Sequence, residues 1–446
     1  MSPSSDALPD NAASKPSIGQ QDRYTALLLF AQHISTTHSE LDTVARLDNM
    51  GRREFIVLMA AMSALDAFSI DAMMPALEQI STDLGIVVEN QRQYIITSLF
   101  FGFSIGVLAY GFVSDSIGRR APVIAGMVIY SIASLMCIFA DTLPVLLAGR
   151  ALQGVGAAGP YVIAIAIVRD RFEGRDMAQI MSLIMMVFIG IPMIAPLVGQ
   201  SIMLVTGWRS IFIALAIYGL IVMLWFSLRQ AETLSVEKRV NLSLQSFWTQ
   251  LKEILSKKQT LYYTVCMSVI SGAFIAYLST AQQVFQNIYL LGTNFPLVVA
   301  LLASFYGIAC FANSRMVQIL GMAKLISLAQ IGIVVSSASY ALIIQLAATL
   351  PPLWLHIAYT GFVIFCFGFL FENIITLALE PMSHIAGTAT SVITAISTLV
   401  AIALSTLIGA FLVDSVMPLV LGFLFLCGIG WGVCKLADGT RVAKAI

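Results

Sequence analysis

Three ionisable side chains lie deep inside long apolar runs: Asp66 and Asp71 in one run and Arg150 in another. A charge in the bilayer core costs about 2.5–3.5 kcal/mol on insertion scales, so each such residue points to a function. Asp66 follows Arg53 by 13 residues, a depth of about 20 Å at helical rise. That is well within a hydrocarbon layer of about 30 Å. Ser63, Asp66 and Ser69 recur at i, i+3 and i+6 and form one polar stripe. Asp71 comes five residues after Asp66, about 140° around a helix, so the two carboxyls occupy different faces. Pro75 follows Asp71 by four and opens the helix ladder there. A carboxyl held out of water takes up a proton and releases it when a cation or guanidinium approaches. That is the minimum chemistry for coupling a proton to a substrate.

Arg150 cannot lose its charge and therefore needs an acceptor close by. It is expected to act in proton or substrate handling, by favouring the charged form of a neighbouring carboxylate. Gln153, Gly154, Gly156, Ala157, Ala158 and Gly159 follow it, and small residues let helices approach closely. Gln153, Gln282, Gln283 and Asn287 are candidates to line a substrate cavity. Glu372, beside Asn373, reads as a surface charge near the end of its run. Gly190, Pro192, Ala195, Pro196 and Gly199 crowd another run and predict a bent, tightly packed helix. The chain has no GxxxxGK[ST] loop, no GxSxG, no HExxH and no metal-ligand spacing, which argues against ATP-driven transport and against an enzyme. The six cysteines sit in apolar runs and read as small hydrophobes. No cofactor or metal is expected.

These residues need elements to position them, and composition says which. Of 446 residues, 59% are hydrophobic and 11% charged, with mean hydropathy +0.89. A soluble domain carries about 25% charged residues. An ordinary soluble enzyme, a nucleic-acid binder and a disordered scaffold are excluded. Apolar runs long enough to span a bilayer lie near 54–76, 94–114, 121–140, 143–168, 178–205, 208–228, 261–290, 295–313, 321–346, 351–375, 385–412 and 415–435. They are continuous rather than alternating, so helices are expected and not barrel strands. The fold class is an all-α polytopic membrane protein. Residues 1–53 read as a polar tail, 54–228 and 261–435 as two sets of six spans, and 436–446 as a short tail. The stretch 229–260 holds nine charges. Within it, Phe247, Trp248, Leu251, Ile254 and Leu255 recur at helical spacing, as in an amphipathic helix at a membrane surface.

Lys and Arg set orientation. With both termini inside, 21 of the 24 basic residues fall on the cytoplasmic side, only Arg92 and Arg209 fall outside, and Arg150 stays in a span. Both termini are therefore expected in the cytoplasm.

The turn after the second span reads Gly111-Phe-Val-Ser-Asp115-Ser-Ile-Gly118-Arg119-Arg120. It resembles the G-x-x-x-D-[RK]-x-G-R-[RK] signature of the major facilitator superfamily, with Ser116 where a basic residue is usual. Arg150-Ala-Leu-Gln153-Gly154-Val-Gly156-Ala-Ala is similar to that family's R-x-x-Q-G-x-G-A-A motif. Ala195-Pro196-Leu-Val-Gly199-Gln200 resembles its G-P-x-x-G-G antiporter motif, departing at Ala195 and Gln200. Asp71-Ala-Met-Met-Pro75 resembles the D-x-x-x-P of twelve-span drug:proton antiporters. Val168-Arg-Asp170, Gly207-Trp208-Arg209 and the stretch from Glu380 to Ala389 resemble the bicyclomycin/chloramphenicol-resistance branch.

The resemblance covers roughly 54–435. It implies the major facilitator fold of two six-helix bundles, with a substrate cavity between them and alternating access. It further implies efflux of small amphipathic drugs by proton antiport across the bacterial inner membrane, by a monomer driven by the proton gradient. Asp71, Asp66 and Arg150 would couple proton and substrate. Gly111, Asp115, Gly118, Arg119 and Arg120 would gate the cytoplasmic side, and Pro192, Ala195, Pro196 and Gly199 would limit leak. The alternative is proton-coupled transport of one native metabolite, such as a siderophore or amino acid.

Overall fold

The computed structural model describes residues 50–239, 243–347 and 349–445, so the expected tail over 1–53 lies almost wholly outside the described residues. Among the described residues the chain forms helices and turns, with no strand. Twelve helices are long and apolar enough to cross a membrane. They are α1 (Arg52–Asp83), α2 (Asn90–Ile117), α3 (Arg120–Ile138), α4 (Leu143–Arg171), α5 (Gly174–Thr206) and α6 (Arg209–Arg229). The second set is α7 (Lys258–Ile288), α8 (Gly292–Leu320), α9 (Met322–Ala347), α10 (Leu353–Met382), α11 (Ala386–Ala410) and α12 (Met417–Gly439). Helices are dictated here because lipid offers no partner to a free backbone N–H or C=O.

Each helix overlaps one apolar run of the sequence, and the differences are at the ends. α1 passes Pro75 through a 3-10 turn at Met74–Ala76 and resumes as Leu77–Asp83. A proline in a first turn costs no hydrogen bond, because that N–H has no helical partner. α10 runs to Met382, beyond the expected end near 375. The last helix continues to Ala445, through the stretch expected to be a tail.

Pairing repeats after six helices. α1 packs on α5, α2 on α4 and α3 on α6, and correspondingly α7 packs on α11, α8 on α10 and α9 on α12. These are the two six-helix bundles. They meet along α2 with α11 and α5 with α8. Within the first bundle, Gly154 faces α2 so closely that a Cβ there would stand 2.0 Å from the Leu99 carbonyl oxygen. Without a hydrophobic driving force in lipid, such close approach is what holds helices together. α5 keeps Pro192 and Pro196 inside one continuous helix.

Between the bundles in sequence, the helix Leu244–Ser256 forms as its spacing predicts. Its apolar side faces protein. Phe247 packs edge-on against Phe112 of α2, centroids 5.5 Å apart. Ile254 is buried with Met382, Ala389 and Val392 of the second bundle, and Leu251 packs on the same cluster. Trp248 and Leu255 are the exposed members of the pattern.

Candidate functional site

One end of the bundle pair, near Arg92, is sealed by polar side chains that cross from bundle to bundle. Arg92 donates to Gln282 Oε1 at 3.2 Å and Asn287 Oδ1 at 3.3 Å. Gln93 Nε2 donates to Gln283 Oε1 at 3.1 Å and to the Gly409 carbonyl at 3.3 Å. Gln283 Nε2 donates to Asn90 Oδ1 and to the Leu412 carbonyl, and Asn90 donates to the Ala410 carbonyl. Arg92, Gln93, Gln282 and Gln283 are all buried. Gly409 is required, since a Cβ there would meet Gln93 Oε1 at 1.7 Å. A six-residue π-helical turn, Gln283–Ile288, ends α7 and presents Gln283 and Asn287 to this seal. The structure thus places Gln282, Gln283 and Asn287 in a seal, where the sequence suggested a cavity lining. The bonds join one guanidinium to neutral amides and carbonyls, and each is of modest net strength.

The opposite end, near Arg119, holds a cleft between the bundles with a volume of about 310 Å³. Asp115, Ser116 and Arg169 line it from the first bundle, and His384 and Gly387 from the second. A narrower cavity of about 110 Å³ continues inward along α2, α4 and α11 as far as Tyr161.

Arg119 is buried and gathers the signature around it. Its Nε donates to Asp170 Oδ2 at 2.9 Å, and Nη1 to Ser114 Oγ at 3.0 Å and to Asp115. Gly118 takes φ +102°, a conformation that L side chains rarely adopt. Glu232 accepts from the backbone N–H of Arg119 and of Arg120, at 2.8 and 3.0 Å. A carboxylate there suits the positive end of α3. Gly111 lies against Ser391 of α11. Ser116, the departure from the motif, bonds only back to the Phe112 carbonyl at 3.4 Å.

Asp71 ends the first helical stretch of α1 and is 4% exposed. The Asp66 Oδ1 is buried with no hydrogen-bond partner among the described residues. The two carboxyls lie within electrostatic reach of each other, although they point from different helix faces. Asp66 is also within reach of Tyr130, Tyr161 and Tyr218, and Asp71 within reach of Tyr277 on α7. The serines of the expected polar stripe turn inward: Ser63 bonds the Met59 carbonyl, and Ser69 bonds the Leu65 carbonyl and Tyr130. Beside Asp71, Gly199 lets α5 reach the Ala72 carbonyl, where a Cβ would stand at 1.9 Å. Ala195 and Pro196 are buried, while Gly190 has open space around it.

Arg150 and Gln153 are fully buried. Arg150 donates to the Ile95 carbonyl at 3.1 Å, the Ser69 carbonyl at 3.1 Å and Gln153 Oε1 at 2.6 Å. Gln153 in turn donates to Ser134 Oγ at 2.8 Å. Among the described residues Arg150 makes no ion pair with a carboxylate. It ties α4 to α1 and α2, and Gln153 serves that tie rather than a cavity wall.

Sequence reasoning did not single out Asn90, Arg92, Gln93, Glu232 or the His384–Glu253 contact of 3.0 Å. A polar Asn-Gln-Arg-Gln run just before an apolar span was the available signal for the first three. Glu372 also differs from its reading as a surface charge, because α10 extends ten residues beyond it.

A family model described as Major Facilitator Superfamily matches residues 56–406, and the chain belongs to that family. It is therefore a multi-pass membrane transporter and not an enzyme. The MFS-type transporter YdgK of Bacillus subtilis is 29% identical over 355 residues, covering 79% of this chain and 87% of that one. The bicyclomycin resistance protein homolog of Haemophilus influenzae is 26% identical over 371 residues, 82% and 91% of the two chains. The multidrug resistance protein MdtL of Escherichia coli is 36% identical over 170 residues, 38% and 43% of the two. These relatives agree with the branch recognised from the motifs. Among solved structures, a D-xylose-proton symporter superposes with TM-score 0.67 at 15% identity, covering 85% of this chain and 98% of that one. The human organic anion transporter MFSD10 gives 0.59 at 16%, covering 87% and 98%. Both share the fold.

Proposed function

We propose that the protein exports small amphipathic compounds in exchange for protons, by alternating access across the bacterial inner membrane. The observation that carries this reading is the pair of carboxyls, Asp66 and Asp71. They lie deep in the first bundle without a fixed cation, in a molecule sealed at one end and cleft at the other. A proton and a substrate would compete for them, which is the simplest form of antiport. Names of the relatives, resistance to bicyclomycin and to multiple drugs, support efflux as the direction. The excess of Lys and Arg at the Arg119 end supports a cytoplasmic cleft and cytoplasmic termini. The seal at Arg92 then faces outward, and Arg119 with Asp115 and Asp170 gates the inner side. The proton gradient supplies the energy, and the working unit is a monomer without cofactor.

The test is to reconstitute the full chain and Asp71→Asn in proteoliposomes and impose a pH gradient. The variant is expected to lose gradient-driven substrate movement. Undiminished gradient-driven transport by the variant removes Asp71 from the coupling role.

A further inference from the structure

α10 is interrupted at Gly368–Leu370 and resumes as Phe371–Leu379. Glu372 thus stands in a first helical turn in mid-membrane, about 15 Å before Met382 at helical rise. Its carboxylate has no hydrogen bond or ion pair among the described residues, although its side chain is exposed. The surroundings show which space it faces. It lies within electrostatic reach of Tyr306 and Cys310 on α8 and of Tyr161 on α4 of the other bundle. Tyr161 is where the inward cavity ends, and Asp66 acts on the same ring from the far side. Glu372 therefore opens onto the space between the bundles.

Beside it stands a set of aromatic rings. Phe371 meets Phe274 edge-on at 5.3 Å, and Phe274 meets Tyr306 at 6.2 Å and Phe367 at 5.5 Å. A carboxylate without a partner, bordered by aromatic rings, is a poor site for a small, tightly hydrated cation. It suits a bulky, weakly hydrated organic cation, whose charge the carboxylate and ring faces share.

We propose that Glu372, with Phe274, Tyr306 and Phe371, forms a second-bundle subsite for the charged group of a quaternary ammonium or phosphonium compound. This rests on the transport reading and names one substrate class for it. A cation seated there lies in the same space as Asp66, so its arrival would disfavour a proton on that carboxyl.

The experiment is equilibrium binding to the purified full chain of tetraphenylphosphonium and of its uncharged analogue triphenylphosphine oxide. The wild-type chain is expected to prefer the cation. In Glu372→Gln the ratio of the two affinities should fall at least tenfold, and in Glu372→Asp it should stay nearer the wild-type value. Phe274→Leu, which keeps bulk but not the ring, should lower the ratio as well and decides the matter if the Gln variant does not fold. An unchanged ratio in Glu372→Gln, or no preference for the cation in the wild-type chain, overturns the subsite. Gradient-driven movement of triphenylphosphine oxide, measured separately in proteoliposomes, tests the transport reading and is independent of that ratio.

Discussion

Replacing Gln283 with Leu keeps bulk at the centre of the Arg92 seal and removes its polar bridge. Two bonds that cross the bundles are lost, from Gln93 at 3.1 Å and to Asn90 at 3.2 Å. Neutral hydrogen bonds contribute about 0.5–1.5 kcal/mol net each, so the sealed state loses about 1–3 kcal/mol relative to the open one. That corresponds to a shift of about 5- to 150-fold in the ratio of sealed to open molecules. The shift can be read by electron–electron double resonance between spin labels at Val88, before α2, and Val413, after α11, in a background lacking the native cysteines. Both positions are more than half exposed and tolerate a label. The longer-distance population should grow in Gln283→Leu. Gln286→Leu is the control, because Gln286 bonds only within the second bundle, to Gln282 and the Gly292 carbonyl. If the Gln283→Leu distances overlay both the parent and the control, the seal is not held by these bonds and the reasoning fails.

Gly154→Ala should lower the melting temperature of the purified protein, by an overpacking cost of about 1–3 kcal/mol, since its Cβ would meet the Leu99 carbonyl. Gly190→Ala, with nothing within 4 Å, should melt at or above the wild-type temperature, and equal losses in both would refute the packing argument. Arg150→Lys should also melt lower, because one ammonium cannot serve three acceptors in the guanidinium's fork, and each buried carbonyl left bare costs about 1–3 kcal/mol. A Lys variant as stable as the parent would show that the tie between α1, α2 and α4 does not depend on that fork.

Helix number and order were legible in the sequence because lipid imposes a length and a hydropathy on every span. The signature around Asp115, Gly118 and Arg119 was equally plain, being local and bonded within a few residues. Partner choice was not. Gln282 and Gln283 look like cavity residues in an apolar run, and nothing near them in sequence announces that Arg92 and Gln93 lie opposite. Arg150 advertised a need for acceptors, but the acceptors are mainly backbone carbonyls, which every residue carries and no motif marks. Glu372 was misread because a charge followed by Glu380 and Pro381 mimics a span end. The helix instead continues, accommodating the proline in the short turn Glu380–Ile385. The apolar pattern of Leu244–Ser256 was read correctly as amphipathic, yet periodicity gives the same signal for a lipid surface and for a protein one.

That surface helix touches the two bundles unequally. On the first it has Phe112 and Leu108; on the second it has Met382, Ala389, Val392, Leu379 and Ile385, together with the His384–Glu253 contact. When the cleft widens, one set of contacts must part, and the weaker set is the one on α2. The helix then travels as cargo of the second half, leaving Phe247 and Phe112 bare to water at each stroke. The connector between the halves is in that sense a moving part, and its wetted aromatic faces are a recurring toll on every cycle.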